Sequence, residues 1–140
     1  MSKEDVERVV EIERKIYQFP WSPGNFSDSL HAGYDCWVNQ QDAELAGYWV
    51  MMLAAGEAHL LNFAIAAEWQ GRGLGREALW RLIDVARGRK AEVMFLEVRT
   101  SNIVARRLYV SAGFRVLTIR KNYYPAGNGR ENAVLMELKL

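Results

Sequence analysis

One strand–helix–strand segment near the middle of the sequence constrains the fold more than any other feature. An apolar run at 58–66 is followed by a glycine-rich loop, a helical pattern from about 73 to 87, and the apolar run VMFLEV at 93–98. Two strands that are joined through a helix lie parallel, and their crossover is right-handed. The sequence therefore predicts one parallel pair of strands at the centre of the sheet. The apolar character of 93–98 predicts a strand that is buried on both faces.

The rest of the chain predicts helices and hairpin-connected strands. Val6, Val9, Ile12 and Ile16 recur at helical spacing in the first segment, and Ser22-Pro23 is a typical start for a second helix. Strand-like runs at 34–39 and 44–53 precede the central segment, and a helix from about 102 to 112 and a hairpin of 114–123 with 132–140 follow it. The predicted order is α-α-β-β-β-α-β-α-β-β. This is an α+β fold with a mixed, mostly antiparallel sheet and one central parallel β-α-β crossover.

Length and composition restrict the class of protein. The 140 residues predict a single domain that spans 1–140, and half of them are hydrophobic, as in a globular protein. The net charge of +1 gives no indication of a nucleic acid or membrane partner. Cys36 is the only cysteine, so neither a disulfide within the chain nor a thiolate metal cluster is possible, and we expect no metal. The first residues do not resemble a signal peptide, which predicts a cytoplasmic protein.

The loop between the central strand and its helix has the composition of a phosphate-binding loop. It reads Gln70-Gly71-Arg72-Gly73-Leu74-Gly75-Arg76. Glycines let the backbone approach a ligand, and a helix N-terminus attracts anions. Arg72 and Arg76 add positive charge. Glycines at such a turn are equally compatible with a purely structural role.

Three phosphate-bearing ligands compete for this loop. A nucleoside triphosphate loop requires Gly-Lys-Ser/Thr, but Arg76-Glu77 stands there. The segment 73–78 reads G-x-G-x-x-A, and Glu97 follows about 20 residues later, as in a dinucleotide-binding fold. That fold needs successive βαβ units, whereas this chain offers one crossover. The pattern Gln-x-x-Gly-x-Gly, which suits the pyrophosphate of coenzyme A, fits both the loop and the topology.

Two motifs resemble a known family. The segment 70–75 is similar to the Q/R-x-x-G-x-G/A motif of the GNAT acetyltransferases. The next helix reproduces their N-x-x-A-x-x-L-Y-x-x-x-G-F signature with Asn102, Ala105, Leu108, Tyr109, Gly113 and Phe114. The resemblance covers nearly the whole chain. Within the family the chain resembles the bacterial ribosomal-protein alanine N-acetyltransferases, through the segments 19–22, 96–102, 122–125 and 129–131.

The sequence departs from the family pattern in two places. Family members usually begin with a short strand before the first helix, whereas this sequence starts almost at the helix, so we expect that strand to be missing or very short. Ala66-Ala67 also stands where the family often has Asp-Pro before the glycine loop. The second departure leaves the loop glycines unchanged.

The resemblance implies acetyl-CoA as the cosubstrate, without a metal. It places the acetyl group and pantetheine beside the backbone of 63–65, whose N–H groups we assign to the thioester carbonyl oxygen. Asn102 is predicted to cap its helix, to contact coenzyme A, or both. The predicted cofactor-binding residues are Phe63, Ala64, Ile65, Gln70, Gly71, Arg72, Gly73, Leu74, Gly75, Arg76 and Asn102.

Glu97 and Tyr109 are the candidate catalytic residues. Glu97 is the only carboxylate in VMFLEV, and an apolar setting makes a carboxylate a better proton acceptor. A structural ion pair with Arg99 or Arg120 explains the residue equally well, and the resemblance favours a general base, acting directly or through water. Tyr109 is suited to donate a proton to a departing thiolate. A lone tyrosine at helical spacing is more typical of core packing, and only the resemblance implies an acid.

The acceptor is predicted to be a protein N-terminus. Trp21, Tyr123 and Tyr124 are the candidate walls of an acceptor groove, although aromatic packing explains each of them as well. The predicted function is acetyl-CoA-dependent acetylation of the N-terminal amine of a protein, namely a ribosomal protein with N-terminal alanine. The alternatives are acetylation of lysine or a small amine, and a coenzyme A sensor without turnover. The presence of both Glu97 and Tyr109 disfavours the sensor.

Overall fold

The computed structural model describes all 140 residues. Its elements follow the predicted order, and a short 3-10 turn, rather than a strand, precedes the first helix. The helices are α1 (Val6–Ile16), α2 (Pro23–His31), α3 (Leu74–Gly88) and α4 (Ile103–Ser111), and the strands are β1 (Asp35–Gln41), β2 (Glu44–Ala54), β3 (Glu57–Ile65), β4 (Val93–Arg99), β5 (Arg115–Ala126) and β6 (Gly129–Lys139). Short 3-10 turns lie at Lys3–Asp5 and Ala67–Trp69.

The six strands form one sheet in the order β1-β2-β3-β4-β6-β5. β3 and β4 are parallel, with Glu57–Leu60 opposite Val93–Leu96. The pairs β1–β2, β4–β6 and β5–β6 are antiparallel. The parallel pair is the one that α3 connects, so the predicted α+β fold with a central crossover is confirmed.

The chain divides into two compact units. The first comprises Met1–Met52 and Leu61–Ala78, and the second comprises Leu53–Leu60 and Leu79–Leu140. The buried core of the first unit consists of Val6, Val9, Val10, Phe26, Leu45, Tyr48, Val50 and Ala64. The buried residues of the second unit include Leu79, Leu82, Ile83, Met94, Leu96, Tyr109, Phe114, Val134 and Met136.

Local capping explains where two helices begin. The hydroxyl of Ser22 accepts a hydrogen bond from the N–H of Asn25 at 3.1 Å, and Pro23 occupies the first helical position of α2. The side-chain oxygen of Asn102 accepts from the N–H of Ala105 at 3.2 Å and so caps α4. Both starts agree with the sequence prediction.

The buried face of α1 differs from the prediction. Val6 and Val9 are buried as expected, but Val10 and Glu13 complete the face, and Ile12 and Ile16 are only half-buried. A pattern of apolar residues cannot reveal Glu13, because its burial depends on hydrogen-bond donors that other elements supply.

β4 and the last hairpin also correct the sequence analysis. β4 is fully buried on one face only, by Met94, Leu96 and Val98, while the face that carries Glu97 is half-buried. The hairpin strands extend further than predicted, and Pro125 lies opposite Arg130 within the ladder. Proline is tolerated there because β5 is an edge strand.

Candidate active site

The backbone of the glycine loop is open to a ligand. Gly71 and Gly73 have φ angles of +76° and +82°, a conformation that glycine adopts without steric cost. A Cβ atom at either position would meet no atom within 4 Å. The protein therefore does not itself fill the space that these two glycines leave.

The start of α3 supplies hydrogen-bond donors beside this space. The N–H of Glu77 donates to the carbonyl of Gly73 at 3.1 Å. The N–H groups of residues 74–76 come before this bond and have no acceptor within the helix. The helix dipole places partial positive charge at the same end. Arg72 and Arg76 are exposed, and the Arg72 guanidinium lies 4.6 Å from the centroid of the Trp69 ring. These features fit the pyrophosphate of coenzyme A.

The end of β3 is fixed on several sides within the same unit. Tyr17 donates its hydroxyl to the carbonyl of Phe63 at 2.7 Å, and the side-chain amide of Gln70 donates to the carbonyl of Ile65 at 2.9 Å. A Cβ at Gly47 would lie 2.6 Å from the carbonyl oxygen of Ala64, so only glycine allows β2 to approach here. Gln70, predicted as a cofactor contact, thus also ties the glycine loop to β3.

Trp21 is half-buried in the first unit. Its ring packs against Phe26 with 5.1 Å between the centroids, and its backbone N–H donates to Glu13 at 2.9 Å. The predicted alternative of aromatic packing is therefore confirmed, and the role as acceptor wall stays a prediction. Glu13 was not among the predicted site residues. Its position one helical turn after Val9, on the buried face, is the one sign in the sequence that it lies inside.

Glu97 forms an ion pair in the second unit. Arg120 donates from Nη1 to Oε1 of Glu97 at 2.6 Å, and both side chains are partly exposed. Of the two partners that the sequence allowed, the structure selects Arg120. A role for Glu97 as general base stays a prediction.

Tyr123 and Tyr124 lie beside this ion pair. The Arg120 guanidinium lies 4.3 Å from the centroid of Tyr123, that of Arg99 lies 4.5 Å from Tyr124, and the two tyrosine rings meet edge to face at 5.0 Å. Burial, reinforced by the nearby Glu97 charge, raises the pKa of Tyr124 to about 12. Its hydroxyl therefore remains protonated at neutral pH. The structure brings three predicted site residues together, because Arg120 contacts both Glu97 and Tyr123, and the ring of Tyr123 contacts that of Tyr124.

Glu131 fixes the turn that leads from β4 to α4. It accepts hydrogen bonds from Arg99 at 3.0 Å, from the hydroxyl of Ser101 at 3.1 Å and from the N–H of Ser101 at 3.2 Å. The Arg99 bond, followed by those of Ser101, lowers the pKa of Glu131. The sequence analysis noted this residue only as part of a family motif. Its contacts hold the segment immediately before Asn102.

Tyr109 is the buried residue of α4. Its side chain is 6% exposed, and its ring lies 5.7 Å from that of Phe114. The predicted alternative of core packing is thus confirmed, while the role as an acid stays a prediction. The N-cap role of Asn102 is confirmed as well, and its contact with coenzyme A is untested.

No group of three or more His, Cys, Asp or Glu side chains is arranged to hold a metal ion. None of the helices combines the length and the apolar character that crossing a membrane requires.

The mixed sheet with one crossover and the open glycine loop at a helix start are the features that the sequence analysis expects of this family. Residues 6–114 match the family model described as the Acetyltransferase (GNAT) family. The chain therefore belongs to the GNAT family of acetyltransferases, which confirms the family that the sequence motifs predict.

Individual members of the family are similar to this chain along nearly its whole length. The chain is 38% identical over 136 residues to the [ribosomal protein bS18]-alanine N-acetyltransferase of Escherichia coli K12, which covers 97% of this chain and 92% of the relative. The crystal structure of the E. coli ribosomal-protein-S18-alanine N-acetyltransferase matches with a TM-score of 0.94 at 37% identity, over 99% of this chain and 90% of that one. A Bacillus subtilis acetyltransferase in complex with CoA shares the fold, with a TM-score of 0.78 at 18% identity over 100% and 94% of the two chains.

Proposed function

We propose that this protein transfers the acetyl group of acetyl-CoA to the N-terminal α-amine of a protein, and that its acceptor is a ribosomal protein with N-terminal alanine. One observation carries the proposal: 38% identity extends along 97% of this chain and 92% of a relative named for alanine N-acetylation of ribosomal protein bS18. We further propose that residues 1–140 act as one catalytic domain in the cytoplasm.

The glycine loop is the proposed binding site for coenzyme A. Open space above Gly71 and Gly73, donors at the start of α3 and two exposed arginines together fit a pyrophosphate. Asn102 is the proposed contact from α4. The bound acetyl-CoA supplies an activated thioester, so the chain's residues need only orient the reactants and move protons.

Three tasks remain for the protein. Glu97 takes a proton from the attacking amine, directly or through water. The N–H groups of the segment 63–65 stabilise the carbonyl oxygen as negative charge develops on it. Tyr109 gives a proton to the departing thiolate. One C–N bond forms while the C–S bond breaks. The amine gives a proton to Glu97, the thiolate receives one from Tyr109, and proton exchange with solvent restores both residues for the next turnover.

The ion pair of Glu97 is compatible with this role. Arg120 contacts Oε1 of the carboxylate, which leaves Oε2 available to a substrate or a water. The arginine therefore fixes the orientation of the carboxylate without occupying both of its oxygens. An N-terminal α-amine has a pKa near 8, against about 10.4 for lysine, so it needs a weaker base for deprotonation near neutral pH.

A comparison of acceptors tests the proposal. The acceptors are a peptide with a free N-terminal alanine, the same peptide blocked at that amine but carrying an internal lysine, and a small polyamine. We expect acetylation of the first on its α-amine, located by mass spectrometry, with a kcat/KM well above those of the other two. A preference for lysine or the polyamine would remove the N-terminal assignment. Binding of acetyl-CoA without turnover on any acceptor would favour the sensor.

A further inference from the structure

The most deeply buried carboxylate of the chain lies outside the residues that the proposed mechanism uses. Glu13, on the inner face of α1, is 2% exposed. Its partners are neutral donors: the backbone N–H of Trp21, the hydroxyl of Tyr48 and the side-chain amide of Asn62. A carboxylate at such a position is costly unless its oxygens are fully hydrogen-bonded.

These four residues form the Glu13 network, which joins four parts of the first unit: α1, the loop after it, β2 and β3. Oε2 accepts from the Trp21 N–H at 2.9 Å, and Oε1 accepts from the Tyr48 hydroxyl at 2.6 Å. Nδ2 of Asn62 lies 3.2 Å from both oxygens. The network therefore holds the loop after α1, the strand β2 and the strand β3 in one arrangement.

The same end of α1 makes a second contact with β3. Tyr17 follows Glu13 by one helical turn, and its hydroxyl donates to the carbonyl of Phe63 at 2.7 Å. Phe63 is the neighbour of Asn62. One turn of helix thus contacts both the loop that carries Trp21 and the strand segment whose N–H groups we assign to the thioester oxygen.

We propose that Glu13 is a positioning residue: it holds the Trp21 loop against the end of β3, so that the acceptor wall and the carbonyl-binding N–H groups keep a fixed spacing. This inference rests on the proposed function. Pro20, which precedes Trp21, has no N–H to donate, so the Trp21 N–H is the backbone donor of this dipeptide. Small displacements of a reactant are costly in acyl transfer, since a shift of about 1 Å can lower the rate about 10²-fold.

Glu13→Gln tests the role with little change in volume. The amide keeps one acceptor oxygen, but its NH₂ group cannot accept from the Trp21 N–H while the oxygen faces Tyr48 and Asn62. Val9→Ala is the matched control, because Val9 is fully buried one turn earlier on the same face and makes none of the network's hydrogen bonds. Both variants are measured at a temperature at which each is folded.

The first measurement is hydrogen exchange of the segment 17–22. Glu13→Gln is expected to speed exchange there at least about tenfold, the size expected when a buried N–H loses its hydrogen-bond acceptor. Val9→Ala is expected to leave the segment unchanged relative to the rest of the chain. Equal exchange in wild type and Glu13→Gln overturns the proposal.

The second measurement is steady-state kinetics with the N-terminal alanine peptide. Glu13→Gln is expected to lower kcat/KM for the peptide about tenfold, mainly through KM, with the KM for acetyl-CoA within about twofold of wild type. In a Trp21→Ala background the effect of Glu13→Gln on kcat/KM is expected to disappear. Alanine keeps the backbone N–H that Glu13 binds, but the ring that Glu13 holds in place is gone. An undiminished effect in that background overturns the proposed route.

The two measurements separate this inference from the proposed function. Faster exchange with peptide kinetics equal to those of Val9→Ala overturns the positioning role and leaves the proposed function intact. If wild-type protein acetylates no N-terminal peptide, the proposed function fails, and the exchange measurement alone supports or overturns the attachment of the loop to Glu13.

Discussion

Replacement of Glu97 by glutamine separates a catalytic role from a structural one. Glu97 accepts a hydrogen bond from Arg120 at 2.6 Å, and the two side chains are 25% and 49% exposed. Glutamine keeps the size of the side chain and an acceptor oxygen for Arg120. It loses the negative charge and cannot take a proton from an amine at neutral pH.

The expected loss of stability is small. Ion pairs that water reaches contribute about 0–1 kcal/mol, so the change in the free energy of unfolding should not exceed that range. For a chain of this length the midpoint of thermal unfolding should fall by roughly 4 °C at most. A domain with a typical stability of about 5 kcal/mol or more stays over ~99% folded at 25 °C after such a loss.

The expected loss of activity is much larger. Removal of a general base lowers kcat by roughly 10²-fold or more, which corresponds to about 2.7 kcal/mol in the activation barrier. Because almost all of the variant is folded, unfolding cannot account for such a decrease. The affinity for acetyl-CoA should stay within about twofold, since Glu97 is not among the residues assigned to coenzyme A.

The assay combines thiol release with the N-terminal alanine peptide at 25 °C, thermal unfolding, and titration with acetyl-CoA. Glu137→Gln is the control, because Glu137 on β6 accepts a hydrogen bond from Arg115 at 2.8 Å in the same sheet. That variant should lose some stability and keep its kcat. A kcat of Glu97→Gln within twofold of wild type would show that Glu97 only pairs with Arg120. An equal fall in both variants would indicate a general disturbance of the sheet.

Three further predictions concern the loop, the candidate acid and a second ion pair. Acetyl-CoA at 100 times its Kd should stabilise the wild type by about 2.7 kcal/mol, visible as a higher Tm. Gly73→Val should fold, since a Cβ there meets no atom within 4 Å, although the φ of +82° adds strain of about 1–2 kcal/mol. The Tm of this variant should no longer respond to acetyl-CoA. A normal response, or a larger response to NAD than to acetyl-CoA, would contradict the assignment of the loop to coenzyme A. Tyr109→Phe should retain binding of acetyl-CoA by calorimetry and lower kcat about tenfold or more, and an unchanged kcat would leave Tyr109 as a core residue. Because the pKa of Glu131 is lowered in the folded state, its carboxylate stabilises the fold above its ordinary pKa, and this stabilisation is lost as the pH falls through the lowered value. The urea midpoints of wild type and Glu131→Gln should therefore differ at pH 7 and converge in acid. A difference that stays constant with pH would contradict the ion-pair explanation.

Helix faces, helix caps and the crossover could be predicted, because each depends on residues or elements that are close together in the sequence. The inward residues expected for α3, namely Ala78, Leu79, Leu82, Ile83 and Ala86, are all buried. The caps at Ser22 and Asn102 agree as well, because a cap requires only residues within one turn. The crossover also follows from order alone, since a strand, a helix and a strand in succession give a parallel pair.

The family could be predicted for a similar reason. The glycine loop and the helix that carries Tyr109 are short segments whose residues resemble motifs of the family, so the resemblance can be seen in the sequence alone. The match of residues 6–114 to the GNAT family confirms that prediction. The role of each site residue is a different matter, because it depends on what surrounds the side chain.

Tertiary structure alone decided the partner of Glu97. The sequence left Arg99 and Arg120 open, and the structure pairs Glu97 with Arg120 while Arg99 contacts Glu131. This choice depends on β6 lying between β4 and β5, with Ala133 opposite both arginines in the ladders. Such a register joins strands that are distant in sequence, so no local pattern specifies it.

The burial of Glu13 has the same origin. A carboxylate on a helix is expected at the surface, and the spacing of Glu13 after Val9 does not show which donors would let it be buried. It is buried because Tyr48 and Asn62, from two strands far along the chain, supply the hydrogen bonds that replace water. The sequence thus determined the helices, the crossover and the loop, whereas the pairing of charges and the buried polar contacts arose only when distant strands came together.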